Sequence, residues 1–280
     1  MSHRTLISAS ELQHFIQPDW VIIDCRFSLT NSEAGSYVYR HGHIPNARYA
    51  HLDNDLSSRI TDRTGRHPLP DFNSLVKKLG AWGVKNNSQV VVYDDAGGAF
   101  AGRLWWLLRA LGHDKVAVLD GGIKHWQQQY DITTALPRIQ STTFRPYINN
   151  NLWLTAEQVE NQLARKVITL IDARTPERYR GEQEPIDPVA GHIPYALNRA
   201  FQRNLDAQGL FLAPDQLRAQ FQQLIGDVKP EHVVHYCGSG VTACHNVLAM
   251  EHAGLLGSKL YAGSWSEWIR NKNRAVATCC

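Results

Sequence analysis

HVVHYCGSGVTACHNVLAMEHAG, residues 232–254, holds the pattern on which the reading of this chain turns. Val233 to Tyr236 is a short apolar run rich in β-branched residues, the signature of a buried strand, and Thr242 to Met250 reads as a helix. Cys237 falls between them. A thiol at the C-terminal end of a strand, followed by Gly-Ser-Gly and a helix start, lies where open α/β sheets bind ligands. Unpaired amides of the loop and of the first helical turn gather there, with the positive end of the helix dipole behind them. That field favours the thiolate over the thiol. Gly238 and Gly240 lack a Cβ, so the backbone can curl round the sulfur and whatever is attached to it, with Val241 and Thr242 completing the cradle. An isolated Cys after a strand is ordinarily inert core. The glycine pair, the hydroxyl residue and the helix start that follow Cys237 argue instead for a reactive thiol.

The same order of features occurs twice. Val21 to Asp24 reads as a strand followed by Cys25-Arg26, with GHIPNA at 42–47, a strand at 90–93, a helix at 101–111, a strand at 116–119 and GGIKHW ending at Trp126. The second half gives a strand ending in DAR at 172–174, GHIPYA at 191–196, VVHYC at 233–237, a helix, Lys259 to Tyr261, and GSWSEW ending at Trp268. Matched markers (Asp24/Asp172, Gly42/Gly191, Asp94/Cys237, Trp126/Trp268) are separated by 148, 149, 143 and 142 residues. Such near-constant spacing points to two copies of one α/β unit, each a mostly parallel sheet with helices on both faces. The expected boundaries are an inactive domain at 1–135, a polar, Pro-containing linker at 136–151 and a catalytic domain at 152–280. Asp94 stands where the second copy has Cys237, and a carboxylate cannot carry sulfur, so only the C-terminal copy should be active.

A chain of 280 residues suits two domains, and 43% hydrophobic with 20% charged residues excludes disorder as its theme. The net charge of +3 suits small anionic substrates but is too diffuse to argue for nucleic acid. The N-terminus lacks a signal-peptide core and no run reaches the length of a membrane span, so a cytoplasmic protein with no membrane partner is expected. Five cysteines without CxxC spacing suggest neither a disulfide framework nor a zinc site, and Cys279 and Cys280 read as an exposed tail. His43 and His192 recur in both copies of GHIP, active and inactive, which marks a structural turn; His41 and His43 make a weak metal pair. No cofactor or metal is expected.

Taken together, the two GHIP-containing halves, DAR after a strand, CGSGVTAC and GSWSEW resemble the tandem-domain rhodanese superfamily of sulfurtransferases over essentially the whole chain. The loop CGSGVT is similar to that of the 3-mercaptopyruvate sulfurtransferases, whereas thiosulfate-using rhodaneses carry a more basic loop. The resemblance implies two rhodanese-like domains and a Cys237 that takes sulfur from a donor as a persulfide, then passes it to a thiol such as thioredoxin or to cyanide. A depressed, amide-cradled thiolate is what such a nucleophile needs. It further implies a proton relay of Ser239, His67 in GRHPLP and Asp53 in AHLDND, and a donor carboxylate bound by Arg178 in ERYRG, a task for a bidentate guanidinium. One departure stands out. Where 3-mercaptopyruvate enzymes have a second donor-binding Arg after Glu-Pro, Glu184-Pro185 is followed here by Ile186. That leaves the preferred donor open, with Arg180 and Arg199 as candidate substitutes and a thiosulfate-preferring enzyme as the alternative.

Two other readings compete. A cysteine phosphatase would need an Arg six residues after the Cys, and Ala243 stands there. A catalytically silent binding module would have no use for an intact Cys and glycine loop. Cys244, seven residues past Cys237 and on a helix about 10 Å away along the axis, suits packing better than a disulfide, and Trp265 and Trp268 wall either the site or the core.

Overall fold

The computed structural model describes residues 2–278, so Cys279 and Cys280 lie outside the described residues. The apolar run at 21–24 forms strand β2, flanked in its sheet by β3 (Arg48–Tyr49) and β4 (Val90–Tyr93), with β5 (Val116–Leu119) and β1 (Leu6–Ile7) beyond. All neighbours are parallel, in the order β1-β5-β4-β2-β3. Alternate strand residues face opposite sides. Ile22, Val91, Tyr93, Ala117 and Leu119 join one apolar cluster with Leu12 of helix α1 (Ala9–Phe15), Tyr39 of α2 (Ala34–His41) and Trp126 of α5 (Gly122–Trp126). Ile23, Val90, Val92, Val116 and Val118, pointing the other way, are as fully buried. A sheet covered on both faces explains why its strands read as continuous apolar runs rather than as alternation.

The second sheet repeats the first. Its strands are β6 (Trp153–Leu154), β7 (Thr169–Asp172), β8 (Leu197–Asn198), β9 (Val233–Tyr236) and β10 (Lys259–Tyr261), all parallel in the order β6-β10-β9-β7-β8. Around it lie α6 (Ala156–Ala164), α7 (Pro176–Arg180), α8 (Pro214–Ile225), α9 (Ala243–His252) and α10 (Ser264–Trp268). Every residue from Ala243 to Met250 is buried, so α9 is a core helix held by packing on all sides.

The chain divides into two compact units: residues 1–58, 70–149 and 207–211 form the first, and residues 59–69, 150–206 and 212–280 the second. The polar stretch after residue 135 belongs to the first unit, where the Thr142 N–H donates to the Gly80 carbonyl and the Tyr147 and Asn149 N–H groups to Leu111 and Ala110. The duplication extends to side-chain detail. Arg26 grips Asp24 through Nε and Nη2 (2.9 and 2.6 Å) and reaches the Gly42 carbonyl at 2.7 Å. Arg174 does the same to Asp172 (3.0 and 2.6 Å) and Gly191 (2.7 Å). His43 stacks on Tyr39 with its Nδ1 2.8 Å from the Tyr39 carbonyl, and His192 stacks likewise on Tyr179. Both GHIP histidines therefore pin the turn after α2 or α7.

Candidate active site

The second unit presents Cys237 directly after β9, and α9 begins six residues on. Two contacts fix the backbone of Cys237. Its N–H donates to Ser264 Oγ at 3.0 Å, and its carbonyl accepts from the Trp265 N–H at 3.0 Å. The Gly238 carbonyl accepts from Ser266 at 2.9 Å. These carbonyls are thus committed to the start of α10, while the Gly240 N–H points back at Cys237 Sγ from 3.1 Å. The turn depends on Gly240, whose φ is +77° and whose Cβ, if it had one, would lie 2.1 Å from the Ala262 carbonyl oxygen. Cys244 helps hold it there: its thiol donates to the Gly240 carbonyl at 3.3 Å. The expected packing role of Cys244 thus includes a polar contact with the loop.

Ser264 has φ +55°, a left-handed conformation costly for a side chain with a Cβ. In the first unit the corresponding residue is Gly122, at φ +58°. A serine is tolerated because its hydroxyl both accepts from Cys237 and donates to the Tyr261 carbonyl at 2.9 Å. Trp265 lies in the core of the unit, its indole N–H on the Val189 carbonyl (2.9 Å) and the Arg174 guanidinium 4.8 Å over its ring. Trp268 packs in the same core.

Of the expected relay, Ser239 and His67 come together: Ser239 Oγ and His67 Nδ1 share a hydrogen bond of 2.7 Å, and both residues are buried. His67 is carried by the 59–69 segment, which belongs to the second unit. Asp53 belongs to the first unit, where its N–H donates to His51 Nδ1 at 3.1 Å. Val241 is buried behind the loop, and Thr242 takes the N-cap position of α9 without a side-chain cap bond.

Arg178 lies beside the loop. Its Nη2 and Nη1 are 3.5 and 3.6 Å from the point where a Gly238 Cβ would sit, and Arg66 Nη2 is 2.7 Å from the same point. Arg66 is the residue sequence reading passed over, although it immediately precedes His67. A chain of alternating charges leads to it. Asp172 holds Arg174, Arg174 reaches Glu184 at 3.1 Å, Glu184 takes Arg178 at 2.7 Å, Arg178 reaches Asp187 at 3.3 Å, and Asp187 pairs with Arg66. Burial works against the Glu184 carboxylate, but the Arg178 bond and two amide donors outweigh it and keep its pKa below the usual range. For Asp187 burial wins, and its pKa is raised despite Arg66. The other candidate arginines point elsewhere. Arg180 pairs with Glu182 on the surface, and Arg199 is buried on Asn204 and Gln220 over the Phe221 ring, its pKa brought down to about 10 by burial. Ile186, at the position the resemblance assigns to a second Arg, is exposed. The loop itself is neutral, as its sequence says, but two guanidiniums from outside flank it.

Among the described residues, no helix is long and apolar enough to cross a membrane.

Comparison with known proteins agrees with this architecture. The rhodanese-like domain family matches residues 8–129 and again 155–271. The probable 3-mercaptopyruvate sulfurtransferase of Pseudomonas aeruginosa is 46% identical over 282 residues, covering 99% of each chain. The thiosulfate sulfurtransferase of Rattus norvegicus is 32% identical, covering 96% of this chain and 93% of its own. The structure of 3-mercaptopyruvate sulfurtransferase from Leishmania major superposes with a TM-score of 0.83 at 27% identity, covering 95% of this chain and 74% of that one. With two family matches in the order and spacing of its two sheets, the chain belongs to the tandem-domain rhodanese family of sulfurtransferases.

Proposed function

We propose that this protein moves a sulfane sulfur from 3-mercaptopyruvate, through a persulfide on Cys237, to a thiol acceptor. The observation that carries the reading is a sulfur seated in its loop with the Gly240 amide aimed at it and the adjoining carbonyls held by α10. In the first step the Cys237 thiolate attacks the donor sulfur, and the bond from that sulfur to carbon breaks. The electron pair leaves as the pyruvate enolate, and the proton first on the donor thiol ends on its methyl carbon. Cys237 then bears a terminal sulfur anion, the species that amides and a helix N-terminus stabilise. In the second step an acceptor thiolate attacks that outer sulfur and frees the Cys237 thiolate.

The Ser239–His67 pair is suited to carrying the proton between donor thiol and enolate. Arg178 suits the donor carboxylate, and Gly238, Gly240, Val241 and Thr242 form the wall around the transferred sulfur. A cytoplasmic setting fits, since thioredoxin-like acceptor thiols are kept reduced there. The test is mass spectrometry after brief exposure to 3-mercaptopyruvate. A gain of one sulfur atom on the wild type, lost on reduction and absent from Cys237→Ser, supports the reading; no gain, or a gain that survives the substitution, ends it. Relatives are named for two donors, so kcat/KM for 3-mercaptopyruvate against thiosulfate decides which one this chain prefers.

A further inference from the structure

We infer that the first unit, which carries no sulfur, holds a ligand site of its own: a pocket at Trp20 and Arg48 for a small organic monocarboxylate with an aromatic or aliphatic body. The site stands whether or not Cys237 transfers sulfur.

The pocket has a volume of about 390 Å³, a size that suits a small molecule. Ile16, Trp20 and Ile22 line it, and all three pack in or against the apolar core of the unit. Pro137 adds a further apolar wall. The charged residues among the lining are Arg48 and Arg138, with no carboxylate beside them. Asp19, next to Trp20 in the chain, is exposed and does not line the pocket.

The duplication supplies an internal control for Arg48. In the first sheet Arg48 of β3 pairs with Ile23 of β2, and in the second sheet Leu197 of β8 pairs with Ile171 of β7. A cation is therefore not needed for this strand pair to form. Arg48 is nonetheless half-buried, and burial lowers its pKa with no carboxylate among the described residues to offset the cost. Its Nε donates to the Trp82 carbonyl at 3.0 Å and its Nη1 to the Asn46 carbonyl at 2.8 Å. Those two carbonyls fix the guanidinium in place without neutralising it. A charge held at a cost that the equivalent position avoids marks binding rather than folding.

The lining decides the chemistry of the ligand. Two guanidiniums without an acid call for an anion. An apolar inner wall disfavours one that is polar all round, such as phosphate or thiosulfate, because oxygens turned toward Ile16 and Ile22 would lose their partners. A carboxylate at one end and an apolar body at the other satisfies both conditions, with the Trp20 ring as a packing surface.

The test follows the indole N–H resonance of Trp20 in the isotope-labelled full-length protein, assigned by its loss in Trp20→Phe. The probe is phenylacetate, which joins a ring to a carboxylate. Phenylacetamide keeps the shape and drops the charge, and inorganic phosphate keeps charge and drops the body. Phenylacetate should shift the resonance saturably at millimolar concentrations or below, and the other two should leave it in place. Arg48→Leu, which installs the residue of the second sheet, should raise Kd about tenfold or more, the loss expected for a charged hydrogen-bond partner. Arg48→Lys should fall between, because it keeps the charge and loses the fork. An unmoved resonance, an equal shift by phenylacetamide, or a Kd unchanged in both Arg48 variants overturns the site. If Arg48→Leu fails to fold, Arg138→Ala decides, since Arg138 is exposed and its loss spares the core. That variant should bind phenylacetate several-fold more weakly, and wild-type affinity in it would overturn the site.

Discussion

Asp94 and Cys237 occupy the same point of two equivalent sheets, each the first residue after the central strand, and the Asp94 carboxylate shows what the loop there is shaped to hold. Its Oδ1 accepts from the amides of Ala96 and Gly98 at 2.9 Å, and its Oδ2 from those of Phe100 and Ala101 at 2.8 Å. Four main-chain donors converge on one carboxylate in the first unit. In the second, the equivalent loop turns the Gly240 amide onto the Cys237 sulfur. One loop architecture thus serves stability in one copy and chemistry in the other.

Asp94→Ala should therefore destabilise the protein sharply, since it strands four amides in a buried turn. We expect a loss of about 3 kcal/mol or more in denaturant unfolding of the first unit. Asp94→Asn should recover only part, because its amide nitrogen opposes two of the donors. A loss under about 1 kcal/mol for the alanine variant would mean that water satisfies these amides.

Gly240→Ala should damage catalysis more than folding. The new Cβ would run into the Ala262 carbonyl at a φ costly for alanine, so the turn must open and take its amide off the sulfur. The expected stability loss is about 1–3 kcal/mol, with sulfur loading of Cys237 slowed by about a hundredfold, the scale of one lost anion-stabilising donor. Stopped-flow measurement of pyruvate release in a single turnover checks this; a normal rate in a folded variant would remove Gly240 from the mechanism.

For the Ser239–His67 pair, Ser239→Ala and His67→Gln should each lower kcat about a hundredfold, as expected when a proton-transfer group is removed. The double variant should be scarcely worse than either single one, since the two share one hydrogen bond and one task. Multiplicative losses would show that they act separately.

Much of this was legible in the sequence, and what was not has a physical cause. The near-constant offset from Asp94 to Cys237 and from Asp24 to Asp172 announced two equivalent sheets, because buried parallel strands leave continuous apolar runs. Strands β1, β3, β6 and β8, two residues each, are too short to leave a pattern. The membership of residues 59–69 in the second unit was hidden for another reason. It rests on Gly65 against Gly263, on the Arg66 amide and on the polar contacts of Arg66 and His67 with Asp187 and Ser239, none of which leaves a hydrophobic period. Arg66 itself reads as a solvated loop arginine until Asp187, over a hundred positions later, is seen to hold it.

Acid stability offers a test inside the second core. His235 of β9 is fully buried, its Nε2 3.1 Å from Met250 Sδ, and burial together with the Arg199 charge pushes its pKa down to about 3. An unfolded histidine titrates near 6.5. As pH falls, the unfolded chain takes up this proton first and the native state resists it, so the contribution is whole above pH about 6.5 and is lost progressively toward pH about 3. The full loss is on the order of 5 kcal/mol. Carboxyls raised by burial, Asp24 and Glu267 among them, act in the opposite sense, so the comparison must be with a variant. His235→Leu should show a shallower decline in unfolding free energy between pH 7 and 4 than the wild type, whatever its absolute stability at neutral pH. Parallel curves for the two proteins would mean that His235 becomes protonated in the native state, and that the β9 core admits a charge its burial argues against.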